Sequence, residues 1–300
     1  MLDRASTFAH PEIVKLLKTR IVPVAIDQAN QRRQKDTEGE FFRKIAGQSP
    51  RNDFSQTTQG FYLATPAGKL MLYNNNRDPE KVLRLLREQL NEFDEDPLLQ
   101  KADVVRRESV DKRYSQEPPR GGLIIRVRSK VLDGYEPTTN KWRRIFQTAL
   151  SRDNLWITAR EAELLRQGNV AESFAQRLAL FHLVDNTRGE PLMWRPDEVR
   201  MIELKIDGER LTGRAEIVSR DGSRGFEGEL YGKLKIESGV VQQFDLVALG
   251  DCWGEGPFTR GAPEGRFPLA IAFELADGTD IADSLSPQGA RGWLEGYLKQ

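Results

Sequence analysis

Apolar and polar positions along the front of the chain change period several times, and each change marks an element. Behind Pro11, Glu12, Ile13, Leu16 and Leu17 recur at helical spacing until Thr19 and Arg20 break the pattern. A proline suits a first helical turn, where its missing donor would have no partner anyway. Ile21, Val22, Pro23, Val24, Ala25 and Ile26 follow, a run too short for a helix and bounded by Asp27. Such a run predicts a strand covered on both faces, and Pro23, which cannot donate to a ladder, places it at an edge or a local break in pairing. Glu38, Phe41, Phe42 and Ile45 predict a helix closing at Gly47. Beyond a polar loop at 48–59, residues 60–64 and 69–73 read as two strands. Thr65, Pro66, Ala67 and Gly68 join them, with proline early and glycine late, so the pair is an antiparallel hairpin. Residues 79–93 then place Val82, Leu85, Leu86 and Leu90 on one face opposite charges, the pattern of an amphipathic helix on a sheet.

From 94 to 122 the chain turns to mixed charge and ends in Pro118, Pro119, Arg120, Gly121 and Gly122, which reads as a linker anchored by Val104, Val105 and Val110. A half-buried strand follows at Leu123–Val131, with Leu123, Ile125, Val127 and Val131 on one face and Arg126, Arg128 and Lys130 on the other. Helical spacing returns at Trp142, Ile145, Phe146 and Leu150, at Leu164 and Leu165 behind a Thr158/Glu161 capping box, and at Phe174, Leu178 and Phe181 leading to His182. After the loop at 185–191 the pattern becomes β, with runs at 202–206, 211–218, 225–236 and 240–249 separated by the turns Asp207-Gly208, Asp221-Gly222 and Ser238-Gly239. These predict a meander of about four antiparallel strands. Gly225, Gly228 and Gly232 within it predict bulges or strong coiling, up to a partly closed barrel. A glycine-rich connection at 250–265, a strand at 267–275 and a short helix near 287–298 complete the reading.

Composition narrows the class of protein. The chain has 300 residues, 38% of them hydrophobic, enough for two ordinary domains with real cores. Lys and Arg balance Asp and Glu at 45 each, so the summed field favours neither nucleic acid nor an anionic membrane. No apolar run reaches the roughly 20 residues needed to span a bilayer. The opening Met1-Leu2-Asp3-Arg4 lacks the apolar core of a secretory signal, so the cytoplasm is the expected compartment if Met1 is the native start. The one cysteine, Cys252, can neither close an internal disulfide nor run a dithiol cycle alone.

The order helix, apolar strand ending VAID, helix, glycine-turn hairpin, amphipathic helix resembles the later part of a thioredoxin-like domain. The wording TFAHPEIVKLLKTRIVPVAID followed by QGFYLATPAGKL is similar to thioredoxin relatives in which a redox CxxC stands just ahead of such a helix. The resemblance covers the first third of the chain. Two features of the family are missing: Met1 to Thr7 contain no Cys, and Thr58-Gln59-Gly60 stands where a cis-proline precedes the hairpin. The implied architecture is an α/β thioredoxin-like domain, whole or truncated, at 1–93, a linker at 94–122, and an α+β domain with an antiparallel β-meander at 123–300.

Candidate chemistry is sparse. The sequence holds no Walker loop, GxGxxG or GxSxG motif, and no cofactor or metal set is expected. Cys252 beside Trp253 reads as a small buried cysteine at a strand end, its thiol raised by Asp251 and Glu255. His182 lies three positions before Asp185 and reads as a helix-terminal histidine with a hydrogen-bond partner. Two polar loops combine tryptophan, arginine and acids and form the candidate recognition surface: Asp185, Asn186, Arg188 and Trp194 in one, Asp251, Trp253, Glu255 and Arg260 in the other. The expected function is a redox-inactive two-domain protein that binds or scaffolds a protein or small polar ligand. The alternative is a thiol–disulfide oxidoreductase whose CxxC lies upstream of Met1.

Overall fold

A computed structural model of the chain describes residues 6–101, 110–111, 113–114 and 116–299. The opening Met1 to Arg4 and the linker anchors Val104 and Val105 lie outside these residues, while Val110 is 45% exposed. The chain divides into two compact units, with the cut between Ser115 and Gln116.

In the first unit, α1 (Pro11–Thr19) starts with Pro11 in its first turn, and a short α2 (Gln28–Gln31) is capped by Asp27. Asp36 caps α3 (Thr37–Ala46) by accepting from the Gly39 N–H. The hairpin forms between β1 (Phe61–Ala64) and β2 (Leu70–Asn74). Gly68 takes φ +81° in its turn, a conformation open to glycine at little cost, and its N–H reaches the Thr65 carbonyl at 2.9 Å. Asp78 caps α4 (Pro79–Glu95) with two backbone N–H groups, and Val82, Leu83 and Leu86 pack with Ile13 into the core of this unit. One expected element is missing. Residues 21–26 form no strand, and the only sheet among the described residues of this unit is the two-stranded β1–β2 pair. The apolar run found no neighbouring strand to cover it, so Val22 and Val24 stand 86% and 72% exposed.

The second unit is α+β. Its sheet has seven antiparallel strands in the order β4-β3-β9-β8-β7-β6-β5: β3 (Leu123–Val131), β4 (Asp153–Ile157), β5 (Val199–Asp207), β6 (Arg210–Val218), β7 (Gly225–Glu237), β8 (Val240–Trp253) and β9 (Arg266–Leu275). The expected meander is therefore the β5–β8 half of a larger sheet, which continues through β9 and β3 to β4. Strand β4 is buried at every position and shows no alternation, so its sequence did not read as a strand. The β7–β8 turn places both Ser238 and Gly239 at positive φ, matching the twist of long hairpin strands. The β7–β8 register slips at Lys235/Ile236, not at the glycines where bulges were expected. Gly228 instead sits opposite Gly250, and a methyl there would lie 2.6 Å from the Leu249 carbonyl oxygen, so this pair permits close coiling of the two strands.

Helices α5 (Lys141–Thr148), α6 (Ala159–Arg166), α7 (Glu172–His182) and α8 (Leu294–Lys299) complete the unit. Helix α7 touches both edge strands, β4 and β5, so the open sheet curls around it. Phe174 of α7 meets Phe244 of β8 edge to face at 6.0 Å in that core. Among the described residues no helix is long and apolar enough to cross a membrane.

Candidate functional site

The loop that follows α7 is not a surface. Asp185, Asn186, Thr187 and Arg188 are all buried, as is Trp194. They satisfy one another and the fold: Asp185 Oδ1 accepts from the Thr187 N–H at 2.8 Å and hydroxyl at 2.6 Å, and its Oδ2 accepts from Arg188 Nη2 at 2.6 Å. Asn186 Oδ1 accepts from Ser129 Oγ at 2.6 Å, and Trp194 Nε1 donates to the Leu183 carbonyl at 2.8 Å. Arg188 also stands 5.9 Å from the Phe267 ring centre, and its Nη1 has no hydrogen-bond partner. Asp185, Asn186, Arg188 and Trp194, expected in a recognition surface, are thus held inside the unit. A buried polar group must find a partner, and here these residue types supply partners to each other.

The second candidate group divides. Asp251 and Trp253 belong to β8, not to a loop, because the strand runs four residues beyond the expected end at 249. Trp253 covers Gly225, donates from Nε1 to the Gly222 carbonyl at 3.1 Å, and carries the Arg266 guanidinium 4.2 Å above its ring. Glu255 accepts from the N–H groups of Gly261 and Ala262 at 2.7 and 3.2 Å and so closes the loop after β8. Arg260 is exposed and makes no hydrogen bond or ion pair among the described residues, and Phe258, two positions before it, is 70% exposed. The structure does bring the two groups side by side. A Cβ added to Gly189 would lie 2.1 Å from the Phe258 carbonyl oxygen, so the first loop packs against the second with no room for a side chain.

Cys252 points inward from β8 and is 5% exposed. Burial pushes its thiol far above the ordinary value, and the Asp185 carboxylate adds to the effect. Asp251 and Glu255, expected to raise it, are not the cause. The same burial pushes the Tyr135 hydroxyl up to about 12. A thiol kept protonated and covered is a poor nucleophile.

His182 ends α7. Its Nε2 pairs with Tyr297 Oη at 2.8 Å, and its Nδ1 lies 3.4 Å from Asp153 Oδ2. The carboxylate beside it is thus Asp153 of β4 and not Asp185. Next to this chain the Arg177 guanidinium pairs with Glu161, both buried, and donates to the Leu298 carbonyl at 3.1 Å. Ser173 Oγ and the Thr158 N–H complete the Glu161 carboxylate. Asp153, Arg177 and Tyr297 were not singled out from sequence, although Arg177 carried a signal. It occupies the i+3 position of the Phe174, Leu178, Phe181 stripe, where a charge has to be buried and paired. A cavity of about 430 Å³ opens beside Glu161 and Ser173 among Thr158, Arg160, Leu298 and Lys299. Its one buried carboxylate already takes three donors.

Among the described residues no three His, Cys, Asp or Glu side chains gather closely enough to hold a metal ion. No family model, curated protein or solved structure matches the chain.

Proposed function

We propose that these 300 residues act as a binding or scaffolding protein, a redox-inactive thioredoxin-like module followed by an α+β module, and not through thiol–disulfide exchange. The state of Cys252 carries this reading: the only thiol of the sequence is covered by the sheet and held protonated, so it can neither attack a disulfide nor be attacked. The helix, hairpin and helix of residues 37–95 support the thioredoxin-like likeness. Of the candidate surface, Arg260 remains accessible, two positions from the exposed Phe258, and an exposed guanidinium suits a carboxylate-bearing protein or small polar ligand.

The test is turnover of a disulfide-linked substrate with dithiothreitol as reductant. The expected rate equals that of dithiothreitol alone, for the native chain and for Cys252→Ala. A rate above that background that disappears in Cys252→Ala overturns the reading.

A further inference from the structure

Strand β4 is one edge of the seven-stranded sheet and pairs with β3, yet all five of its residues are buried. An edge strand turns backbone donors and acceptors away from its one neighbour, and something has to cover them. Here side chains do so. The Asn154 N–H donates to Asp153 Oδ1 at 2.8 Å, and the Trp156 N–H donates to Tyr297 Oη at 3.4 Å. Tyr297 belongs to the segment 277–299, which makes short helical turns at Ile281–Ser284 and Gln288–Ala290 and ends in α8.

Among the described residues no backbone–backbone hydrogen bond joins 277–299 to the rest of the chain. The last such bond runs from the Ala276 N–H to the Ile124 carbonyl at 2.9 Å. Side chains tie the segment down at two stations. At the first, Arg126 grips Asp283 at 2.8 Å and also pairs with Asp277, while Arg152 holds Asp283 at 2.7 Å and Asp280 at 3.1 Å. Asn154 Nδ2 donates to the Ala282 and Leu285 carbonyls at 2.7 and 2.9 Å, and Asp153 Oδ1 accepts from the Gln288 N–H at 2.9 Å. At the second, Tyr297 is 1% exposed, pairs with His182 Nε2 at 2.8 Å and lies 5.0 Å from the Phe181 ring. Among the described residues none of these or the segment's other hydrogen bonds and ion pairs comes from β5, β6, β7 or β8.

We propose that residues 277–299 form a strap that opens while the β5–β8 part of the sheet stays folded, so that the strap sets access to the β4 edge. Two features make opening cheaper than unfolding. Water replaces the partner of each polar tie once the strap lifts, which leaves a small net cost per tie. Ile281, Leu285 and Trp293 are already 90%, 59% and 67% exposed, so the strap gives up little apolar burial at these positions. Segments with few buried apolar contacts open below the global free energy.

The test uses the full chain with Ala290→Cys, which puts a thiol on the strap at a position fully buried when the strap is closed. Cys252 on β8 is the reference within the same molecule. Each thiol's rate with a chromogenic disulfide reagent is divided by its rate in the unfolded chain. The introduced thiol is then expected to react at least about a hundredfold faster than Cys252. Adding Tyr297→Phe keeps the ring but removes the hydroxyl shared by Trp156 and His182, and is expected to speed the introduced thiol by about tenfold. Equal rates for the two thiols, or no effect of Tyr297→Phe, overturn the proposal. Hydrogen exchange of the native chain puts the same question without a substitution, and it alone decides should Ala290→Cys fail to fold. The Asn154 and Trp156 amides are expected to exchange at least about a hundredfold faster than amides at the centre of β7 and β8. Equal protection means that the strap opens only with the whole unit, and the proposal fails.

Discussion

The Glu161–Arg177 pair offers the sharpest test of how the second unit is held together. The Arg177 side chain is fully buried and that of Glu161 is 4% exposed. The carboxylate accepts from Arg177, from Ser173 Oγ and from the Thr158 N–H, the last being half of the capping box that starts α6. Replacing Glu161 by alanine leaves a guanidinium inside the core with only the Leu298 carbonyl and a loose approach to Tyr297. A buried charge stripped of its partner costs about 3–5 kcal/mol, and loss of the cap adds about 1 kcal/mol. A unit of this size loses roughly 2–4 °C of melting temperature per kcal/mol, so Glu161→Ala is expected to melt roughly 8–24 °C lower by calorimetry. The pair itself is a weaker source of stability than either half is a liability. The double variant Glu161→Met/Arg177→Met therefore regains most of the loss and shows a coupling of about 2 kcal/mol or more in a double-mutant cycle. A Glu161→Ala loss under about 1 kcal/mol, or additive single effects, refutes the reasoning.

Two further outcomes follow from the same interior. Burial raises the hydroxyls of Tyr135 and Tyr297, so the folded chain holds these protons after the unfolded chain has released its own at about pH 10. Stability is thus expected to be flat in this respect below about pH 10 and to fall as pH rises toward 12, and Tyr135→Phe flattens the decline. A urea midpoint that does not change across that window counts against it. At Gly189 an added methyl meets the Phe258 carbonyl oxygen, so Gly189→Ala is expected to cost about 1–3 kcal/mol by overpacking. Denaturant titration checks this, and an unchanged midpoint means the two loops are not in contact.

What the sequence disclosed depended on whether a residue's partner was close in the chain. The hairpin at 61–74 was readable because Pro66 and Gly68 set its turn, and α4 because Asp78, Pro79 and a clean apolar stripe set its start and face. The run at 21–26 was misread because apolar composition specifies a need for cover without naming what supplies it. Strand β4 was missed for the opposite reason: Asp153 and Asn154 look like a helix flank until Asp153 accepts from the Gln288 N–H and Asn154 donates to the Ala282 and Leu285 carbonyls, more than a hundred positions away. The loop residues Asp185 to Arg188 read as surface because they are polar, yet Asp185 bonds Thr187 and Arg188 within three positions and the whole group can enter the core.

The most direct test of the claim that this chain carries no working thiol is the rate at which Cys252 reacts with a chromogenic disulfide reagent in the native protein, compared with the unfolded chain. Reaction requires opening of the β8 core, which costs a large part of the global stability of about 5 kcal/mol or more. The native rate is therefore expected to be about a thousandfold slower, or more, than the unfolded rate. A native rate within about tenfold of the unfolded rate contradicts the account.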